Sequence, residues 1–527
     1  MSGGLDIRTS MPGRIAARAD EIRSVVMDLE RPCWIVRGPS GVGATHEPPA
    51  GAQVLAAAPP ISPLSLGEGS FRSFHGVAAA YAAGAMANGI ASVPLVTRMA
   101  RSGYLASYGA AGVVPDRVDA ALAELAARLG TKPFACNLIH SPTEPALERA
   151  IVDSCLRHEV RCVEASAFMS LTPQVLRYRL AGLEAGGSGV VRRNRLIAKV
   201  SRAEVAELFL RPAPIDMVRR LVEVGDVTAE QAELAATIPV ADDVTAEADS
   251  GGHTDRRPLV VLLPELIAVR DRIAQEFPAA RAVRIGAAGG LGTPVAAAAA
   301  FAMGAAYIVT GSVNQASVEA DQSDATKRLL AAADVADTVM TASSDMFEMG
   351  VQVQVLRRGT MFATRAQRLY EVYRAYDGLE ALPADLRDDI ERTILGRSFD
   401  SVWDECIRYF SERDPAQLTG AESDPKRRMA LVFRWYLGLS SGWSMRGDPG
   451  RITDYQIWCG PAMGAFNRWA AGSDLESVAD RHVDEIADRL MHGAAIATRV
   501  MTLRAAGVRL PSSCTEFGPI PLRRAAR

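Results

Sequence analysis

The 527-residue sequence has no concentrated basic segment and no long run of bulky apolar residues. Lys and Arg number 58 against 61 Asp and Glu, which gives a formal net charge of −3. Nucleic-acid-binding domains concentrate positive charge on one face, so this balance argues against a nucleic-acid partner. The longest apolar stretch, residues 295–310, is mostly alanine and is too short to cross a bilayer. We therefore expect neither a nucleic-acid partner nor a membrane partner.

The sequence also shows no closely spaced cysteine pair and no visible secretory signal. The seven cysteines are scattered and none belongs to a C-x-x-C pair, so the sequence predicts neither a disulfide framework nor a zinc or other metal site. Charged residues interrupt the first thirty positions, which lack the apolar core of a signal peptide. A reducing cytoplasm is the expected location.

What the sequence does contain, from about residue 71, is a regular alternation of short apolar runs with amphipathic helical runs. In residues 115–129, for example, Val118, Leu122, Leu125 and Leu129 fall on one helical face. Strands that alternate with helices predict a parallel sheet, and roughly eight such units over residues 71–312 predict a closed (β/α)₈ barrel. A doubly wound open sheet is the competing architecture, but no G-x-G-x-x-G motif follows the first strand.

The alternation is interrupted once and stops after residue 345. Residues 212–237 have a helical pattern and form a predicted insertion. A chain of this length is expected to fold as about two or three units. The predicted organisation is an irregular region at 1–70 with short strands at 33–36 and 53–57, a barrel at 71–345, and a mainly helical region at 346–527 with a Gly/Trp-rich loop at 442–461.

A glycine–glycine–histidine sequence follows the sixth predicted strand. Gly251 and Gly252 allow the backbone to turn sharply and to approach a flat ligand closely. His253 is then presented from a strand end, where its imidazole can donate or accept a proton near neutral pH. The alternative is a loop histidine that bonds to a neighbouring carbonyl.

Two further glycine-containing turns follow the last two predicted strands. Gly289 and Gly290 come after the seventh strand, and Gly311 and Ser312 come after the eighth. All strands of such a barrel end on one face, where backbone N–H groups and helix dipoles attract anions. Either turn alone is best explained as a tight turn, whereas the two together predict a phosphate site.

Polar residues at the other strand ends extend this site. Asn88, Asn137 and Lys199 follow or end three different predicted strands. A phosphate site combined with amides and a cation suits FMN, whose ring needs polar partners and a positive charge near its N1 region. Lys199 is the candidate cation, and a simple salt bridge at a strand end is the alternative.

Long motifs between about residues 71 and 512 resemble one protein family. Phe134-Ala-Cys-Asn-Leu, Glu247-Ala-Asp-Ser-Gly-Gly-His and Ala287-Ala-Gly-Gly resemble the flavin barrels of nitronate monooxygenases and FabK-type enoyl reductases. Ala83-Gly-Ala-Met-Ala-Asn-Gly-Ile, Thr310-Gly-Ser-Val-Asn-Gln and Asp345-Met-Phe-Glu-Met-Gly narrow the resemblance to the PfaD group. These are trans-acting enoyl reductases of polyunsaturated-fatty-acid and polyketide synthases.

The resemblance implies FMN as cofactor, NADPH as hydride donor and an enoyl thioester on an acyl carrier protein domain of a megasynthase as substrate. It implies a catalytic role for His253, close to flavin and substrate. The positions that it implies as flavin contacts are Ala85, Met86, Asn88, Asn137, Lys199, Gly251, Gly252, Gly289, Gly290, Gly311 and Ser312. A nitronate monooxygenase-like flavin oxidase and a non-catalytic megasynthase accessory protein are the alternatives, and a homodimer is an open option for assembly.

The predicted helical region contains one further candidate surface. Lys426, Arg427, Arg428 and Arg434 lie close in sequence to several tryptophans. Such a face can dock an acidic carrier through charge and aromatic contact. The alternative is that these side chains pack the helical region together.

Overall fold

The computed structural model describes residues 14–39, 41–141, 145–187, 189–413 and 415–521. Its centre is a closed barrel of eight parallel strands in which each strand pairs with the next along the chain and the last pairs with the first. The predicted (β/α)₈ barrel is therefore confirmed, and the competing doubly wound open sheet is wrong. In chain order the strands are β1 (Tyr81–Ala83), β2 (Leu105–Tyr108), β3 (Ala135–Ile139), β4 (Cys162–Ser166), β5 (Arg195–Val200), β6 (Asp243–Glu247), β7 (Arg284–Ala288) and β8 (Ile308–Thr310).

Helices cover the outside of the barrel, so most strand residues are buried on both faces. Ser92, Thr172 and Thr293 each accept a hydrogen bond from a backbone N–H in the first turn of the helix that follows. A proline also lies in the first turn of these three helices, where its missing N–H costs nothing. The helices that follow β1 to β7 are Val93–Arg101, Pro115–Leu129, Pro145–Arg157, Pro173–Leu180, Ala203–Leu210, Leu259–Glu276 and Pro294–Ala302.

The helix that completes the outer layer beside β8 comes from far along the chain. Only the short helix Ser312–Gln315 follows β8 directly. Helix Val483–Ala505 instead packs against Pro294–Ala302 and Val93–Arg101, and its apolar face joins the barrel core. The sequence analysis placed all residues after 345 in a separate helical region. The packing of helix Val483–Ala505 shows that the last part of this region belongs to the barrel.

Residues 316–463 contain a second hydrophobic core, and we call this part of the chain the cap. The predicted helical region is confirmed, but two antiparallel strands, Thr338–Ala342 and Gln352–Leu356, precede most of it, and the short strand Gly252–His253 joins them as an edge. The predicted loop at 442–461 is wrong at its start, because the helix that begins at Pro425 continues to Arg446. The helices of the cap and of its connection to the barrel are Asp324–Ala331, Phe362–Ala375, Ala384–Ile390, Glu391–Leu395, Phe399–Arg413, Pro415–Ser423, Pro425–Arg446 and Ala462–Ala470.

The region predicted to be irregular has regular structure within its described residues. Helix Ala19–Met27 is followed by a three-stranded antiparallel sheet, whose first and third strands correspond to the two predicted ones. The buried Arg499 of the final helix donates hydrogen bonds of 2.9 Å to the carbonyls of Arg31 and Pro59, which fixes this region to the barrel. The strands of the sheet are Cys33–Gly38, Gly41–Thr45 and Gln53–Ala58.

Between β4 and β6 the chain makes two additions to the barrel. Helices Ile215–Glu223 and Ala229–Ala235 form the predicted insertion, and a hairpin of Leu183–Gly186 with Gly189–Arg192 was not predicted. Among the described residues, the structure contains no helix of the length and apolar character that crossing a bilayer requires.

Candidate functional site

Three charged side chains from neighbouring strands meet inside the carboxyl end of the barrel. The Nζ of Lys199 on β5 lies 2.9 Å from Oε1 of Glu247 on β6 and 3.4 Å from Oε1 of Glu164 on β4. Burial opposes the charge of Lys199, but the two carboxylates outweigh it and raise the pKa of this lysine. Burial likewise raises the pKa of Glu164, although Lys199 counteracts it. Lys199 therefore makes the salt bridge considered above and remains a fixed cation.

Glu164 also connects this cluster to two of the predicted cofactor positions. The backbone N–H of Ala85 donates to Glu164 Oε1 across 3.3 Å. The side-chain amide of the buried Asn137 on β3 donates to the carbonyl of Glu164 at 3.1 Å and to Oγ of Ser166 at 2.9 Å. Sequence reasoning did not single out Glu164, because an isolated glutamate in a strand pattern gives no sign of its partners.

The loop after β1 lies between the barrel and the cap. Asn88 has a left-handed backbone, with φ of 59°, and its amide donates to Oγ of Ser441 in the cap across 3.3 Å. The carbonyl of Met86 accepts from the N–H of Ala91 at 3.2 Å. Both predicted positions thus belong to a loop at the carboxyl mouth that packs against the cap.

His253 lies in the short strand that pairs with the cap strand Gln352–Leu356. Its Nε2 is 3.3 Å from Oδ2 of Asp345 and 3.3 Å from Oγ of Ser343, and Ser343 also donates to Asp345. Burial lowers the pKa of His253, but the hydrogen bond and charge of Asp345, with Glu247 nearby, raise it overall. Burial also works against the charge of Asp345, yet its contacts with His253 and Ser343 lower the pKa of this carboxyl to about 2.

Asp345 and Ser343 are thus residues of the site that sequence analysis missed. The side chain of His253 is one-third exposed and bonds to a carboxylate rather than to a loop carbonyl. Asp345 falls in one of the motifs that carry the family resemblance, but nothing in its spacing connects it to a histidine more than ninety residues earlier.

Four of the five predicted glycines divide into two groups, and the fifth, Gly252 with φ of 81°, has only Trp458 near its Cβ position, at 3.9 Å. Gly290, with φ of 72°, and Gly311 have no atom within 4 Å of the position that a Cβ would take, so open space lies beside both backbones. Gly289, with φ of 86°, and Gly251 are instead packed against backbone, since a Cβ there would lie 2.6 Å from Ala248 and 2.8 Å from Cys459 respectively. The first group leaves room for an anion, and the second allows chain segments to cross closely.

The cap covers one side of the barrel mouth. The backbone N–H of Gly460 donates to Oγ of Ser312 at 3.0 Å, directly beside the loop after β8. The amide of Gln354 donates to Asp249 at 2.8 Å and to the carbonyl of Ser250 at 2.7 Å, just before Gly251 and Gly252. These contacts fix the loops after β6 and β8 against the cap.

The space beside Gly290 and the space beside Gly311 each leave room for a phosphate group. Nearby, the buried Gln315 has an Nε2 without a hydrogen-bond partner among the described residues, which leaves a donor for a ligand. The cation of Lys199 and the amide-containing strand ends supply the polar surroundings that a flavin ring requires. The residues present are therefore compatible with FMN.

The four basic residues of the predicted carrier-docking surface already have internal partners, Arg427 donating to Gln417 at 3.0 Å. Lys426 donates to the carbonyls of Tyr373 and Tyr376 at the end of helix Phe362–Ala375. Arg434 lies 3.1 Å from Glu348, and Arg428 lies 3.5 Å from both Glu380 and Asp400. These contacts favour the packing interpretation over a carrier-docking face.

Comparison with known proteins places this arrangement in a family. Residues 74–389 match the model of nitronate monooxygenase, residues 13–60 that of the fatty acid synthase subunit PfaD N-terminal domain, and residues 376–455 that of the inserted helical domain of [acyl-carrier-protein] S-malonyltransferase. A polyunsaturated fatty acid synthase subunit of Thraustochytrium sp. is 44% identical over 497 residues, which are 92% of this chain and 33% of that protein. Polyketide biosynthesis protein PksE of Bacillus subtilis is 42% identical over 438 residues, 83% of this chain and 57% of PksE.

A solved structure extends the comparison to three dimensions. The enoyl reductase domain of MlnA, from the macrolactin biosynthesis cluster of Bacillus amyloliquefaciens, has a TM-score of 0.80 and 37% identity, and the match covers 84% of this chain and 99% of that domain. The chain spans only a third of the Thraustochytrium protein and just over half of PksE. The match over residues 74–389, more than half of the chain, shows that the chain belongs to the nitronate monooxygenase family, and its first residues match the N-terminal domain of PfaD.

Proposed function

We propose that this protein uses FMN and NADPH to reduce the α,β double bond of enoyl thioesters on acyl carrier protein domains, acting in trans with a fatty-acid or polyketide megasynthase. The observation that carries the proposal is His253, which Asp345 holds at the same barrel end as a cation and an open glycine cradle. The relatives support it, because MlnA contributes an enoyl reductase domain and the curated relatives are named as synthase and polyketide biosynthesis proteins.

In this proposal Gly290 and Gly311 border the phosphate of FMN, and Lys199 and Asn137 lie beside its ring. When bound, the flavin supplies hydride transfer from NADPH to the β-carbon of the enoyl group. Lys199 keeps its charge because Glu247 and Glu164 raise its pKa, so the barrel offers a constant cation there.

His253 provides the proton chemistry. Reduction of an enoyl thioester places negative charge on the thioester oxygen and leaves the α-carbon to be protonated. A protonated imidazole can stabilise that charge or supply the proton, and Asp345 favours the protonated form because it raises the pKa of His253. Ser343 orients the carboxylate through its own hydrogen bond to Asp345.

Anaerobic turnover tests the proposal directly. The purified protein, reconstituted with FMN, is mixed under nitrogen with NADPH and a but-2-enoyl thioester on a phosphopantetheinylated carrier protein. We expect one saturated thioester for each NADPH consumed. The match to nitronate monooxygenase over residues 74–389 makes a flavin oxidase the second candidate, and it predicts oxygen-dependent turnover of a nitronate without enoyl reduction. A protein that does not take up FMN would instead indicate an accessory role.

A pair of glycine variants tests the cofactor site without relying on turnover. Gly290→Asp and Gly290→Asn adopt the left-handed backbone about equally well and meet the same open space. Only the aspartate puts a negative charge where the phosphate is proposed to bind. We expect Gly290→Asp to lose FMN while Gly290→Asn retains most of it, as measured by flavin absorbance after gel filtration. Equal flavin content in the two variants would contradict a phosphate at Gly290.

A further inference from the structure

A groove of about 470 Å³ lies next to the candidate site, on the side of the mouth formed by β5 and β6. It runs between the first turns of helices Ala203–Leu210 and Leu259–Glu276, immediately after the segment that presents His253. It is lined by Ser201, Arg202, Ala203, Glu204, Arg257, Val261, Leu262 and Glu265.

The loop between His253 and this groove is held in place by one carboxylate. Asp255 accepts from Nε and Nη2 of Arg202 at 2.8 and 3.1 Å, and from Oγ of Ser201 at 2.7 Å. Arg202 is therefore neutralised within the chain, and the loop is fixed to the end of β5. The residues after Asp255 are consequently presented in a defined position.

Two arginines come next in the chain, and Arg257 is close enough to Asp255 to help lower the pKa of that carboxyl. Arg256 and Arg257 are exposed, and their guanidinium groups make no hydrogen bond or ion pair with the residues that the structure describes. Arg256 also has φ of 50°, a backbone region that bulky side chains rarely occupy, and its N–H is held by Oγ1 of Thr254 at 3.0 Å. Strained residues of this kind concentrate at binding sites.

Two large apolar side chains lie beside these charges. Val260 and Val261, in the first turn of helix Leu259–Glu276, are 67% and 64% exposed. We call Arg256, Arg257, Val260 and Val261 the arginine–valine patch. Apolar contacts bordered by arginine are typical of protein interfaces, and arginine forks suit carboxylates and phosphate esters.

We propose that the arginine–valine patch docks the acyl carrier protein, and that the adjoining groove receives its phosphopantetheine arm. This inference rests on the proposed function and adds the site of carrier binding to it. Charge complementarity at the patch selects the partner, because carriers are acidic whereas Arg256 and Arg257 are both positive. The groove itself also contains Glu204 and Glu265, so we place the phosphodiester of the arm at Arg257, on the edge of the groove. The cap covers the mouth beside β6 and β8, while the groove opens on the β5 side and Arg257 lies four residues after His253.

The test is the double charge reversal Arg256→Glu/Arg257→Glu. Two quantities are measured: binding of a phosphopantetheinylated carrier protein by fluorescence anisotropy at low and high salt, and kcat/KM for a but-2-enoyl group on that carrier and on N-acetylcysteamine. We expect binding and carrier-dependent kcat/KM to fall about tenfold to a hundredfold and binding to lose most of its salt dependence. Turnover of the small thioester should change less than about twofold, since it has no carrier to dock.

The matched control is Arg219→Glu/Arg220→Glu, which reverses two adjacent exposed arginines on the insertion helix Ile215–Glu223. It should leave carrier binding unchanged. If both double variants bind the carrier like the wild type, or if the wild type does not bind it, the docking site is wrong. Failure of the proposed function is distinct, because then the wild type reduces neither thioester while its carrier binding is still measured.

The apolar half of the patch has its own test. Val260→Ser/Val261→Ser should weaken carrier binding several-fold without altering its salt dependence, because it removes apolar contact and no charge. If these substitutions instead dissociate a homodimer in sedimentation experiments and leave carrier binding intact, the patch is a contact between two copies of the chain and the proposal is overturned.

Discussion

Strand β6 carries a carboxylate at each end of the barrel, in opposite surroundings. Asp243 and Glu247 are four residues apart and share one face of the strand, because side chains alternate along it. At the amino end Asp243 is fully buried and bonds to Nη2 of Arg284 at 2.8 Å and to Nε2 of His75 at 2.8 Å. At the carboxyl end Glu247 is one-fifth exposed and pairs with Lys199. The same strand thus serves packing at one end and a site at the other.

The amino end is closed by permanently charged groups. The buried Arg179 makes a two-pronged contact with Asp242, at 2.7 and 3.0 Å. The ring of Phe74 lies within about 5 Å of three guanidinium groups, those of Arg192, Arg195 and Arg284. Arginine does not release its proton in proteins, so these charges cannot be adjusted by titration.

The carboxyl end also contains groups that can change their charge. Burial and neighbouring charges displace the pKa of both Glu164 and His253, whereas Lys199 stays charged because Glu247 and Glu164 raise its pKa. Active sites of (β/α)₈ barrels occupy this end, whereas the amino end serves stability. Substitutions at the amino end should therefore act mainly on the free energy of unfolding, whereas substitutions at the carboxyl end should act mainly on activity.

The largest effect that we expect is on activity, from His253→Ala. General acid assistance is worth about 10²- to 10⁴-fold, so reduction of the enoyl thioester should slow by that amount. Oxidation of NADPH by the flavin-loaded protein needs no proton from the histidine and should continue at the wild-type rate. Single-turnover stopped flow separates the two half-reactions, and urea unfolding should find the stability little changed. If NADPH oxidation collapses and enoyl reduction is normal, His253 positions the nicotinamide instead.

The complementary effect on stability should follow from Asp243→Asn at the amino end. This substitution keeps the shape of the side chain but leaves Arg284 buried without its counter-charge, which costs about 3–5 kcal/mol of unfolding free energy. Urea denaturation checks the value, and Glu276→Gln, at an exposed pair with Arg211, is the control that should change little. A stable Asp243→Asn protein with impaired turnover would contradict the division between the two ends.

Asp243 should also make the stability of the protein depend on pH in the acid range. Burial favours the neutral form of Asp243, but His75 and Arg284 outweigh it and lower the pKa of this carboxyl. Its contribution to stability is therefore complete above the pKa of an unfolded aspartate, about 4, and is lost as the pH falls through the lower folded value. The Asn variant should lack this part of the acid dependence.

Lys199→Met is the corresponding change at the carboxyl end. We expect it to lower the free energy of unfolding by a smaller amount, about 1–2 kcal/mol at neutral pH. The substitution leaves Glu164 beside Glu247, but Glu164 has a raised pKa already and can take up a proton. A carboxyl with a raised folded pKa is most favourable below its unfolded pKa and loses stability as the pH rises through the folded one. Urea unfolding at two pH values should therefore show the variant closer to the wild type at the lower pH. An equal loss of unfolding free energy at both pH values would mean that Glu164 does not take up a proton in the variant.

The barrel and much of its mouth were predictable because they follow from local rules. Strand and helix periodicities are encoded in every few residues, so an alternation of roughly eight strands with helices was predicted, and eight strands form the barrel. The position of His253 followed from its place after a strand, because every strand of a closed barrel ends at the same face. The turns at Gly290 and Gly311 were predicted on the same basis, whereas their ligand remains a proposal.

The features that escaped prediction depend on contacts between distant parts of the chain. The pairing of His253 with Asp345 arises because a cap strand hydrogen-bonds to residues 252–253, and short edge strands leave little trace in a sequence. A mainly helical region at 346–527 was expected, but the place of helix Val483–Ala505 beside β8 was not, since the cap separates it from the strand that it covers. The charge cluster of Lys199 needed the register of three strands, which periodicity does not supply.

The smallest effect that we expect comes from Asp345→Asn. This substitution changes the titration of His253 and leaves the structure around it unchanged. Asp345 raises the pKa of His253 against the opposing effect of burial, so its removal should lower that pKa. Since the protonated histidine is the proposed donor, activity declines as the pH rises through this pKa, and the decline should begin at lower pH in the variant. We expect about a tenfold loss of enoyl reduction at about pH 7.5 and recovery of most of it toward about pH 5.5. An NMR titration of His253 supplies the pKa independently, and Ser343→Ala, which keeps the ion pair, should shift it less. A loss that is equal at all pH values would show that Asp345 only holds the strand in place.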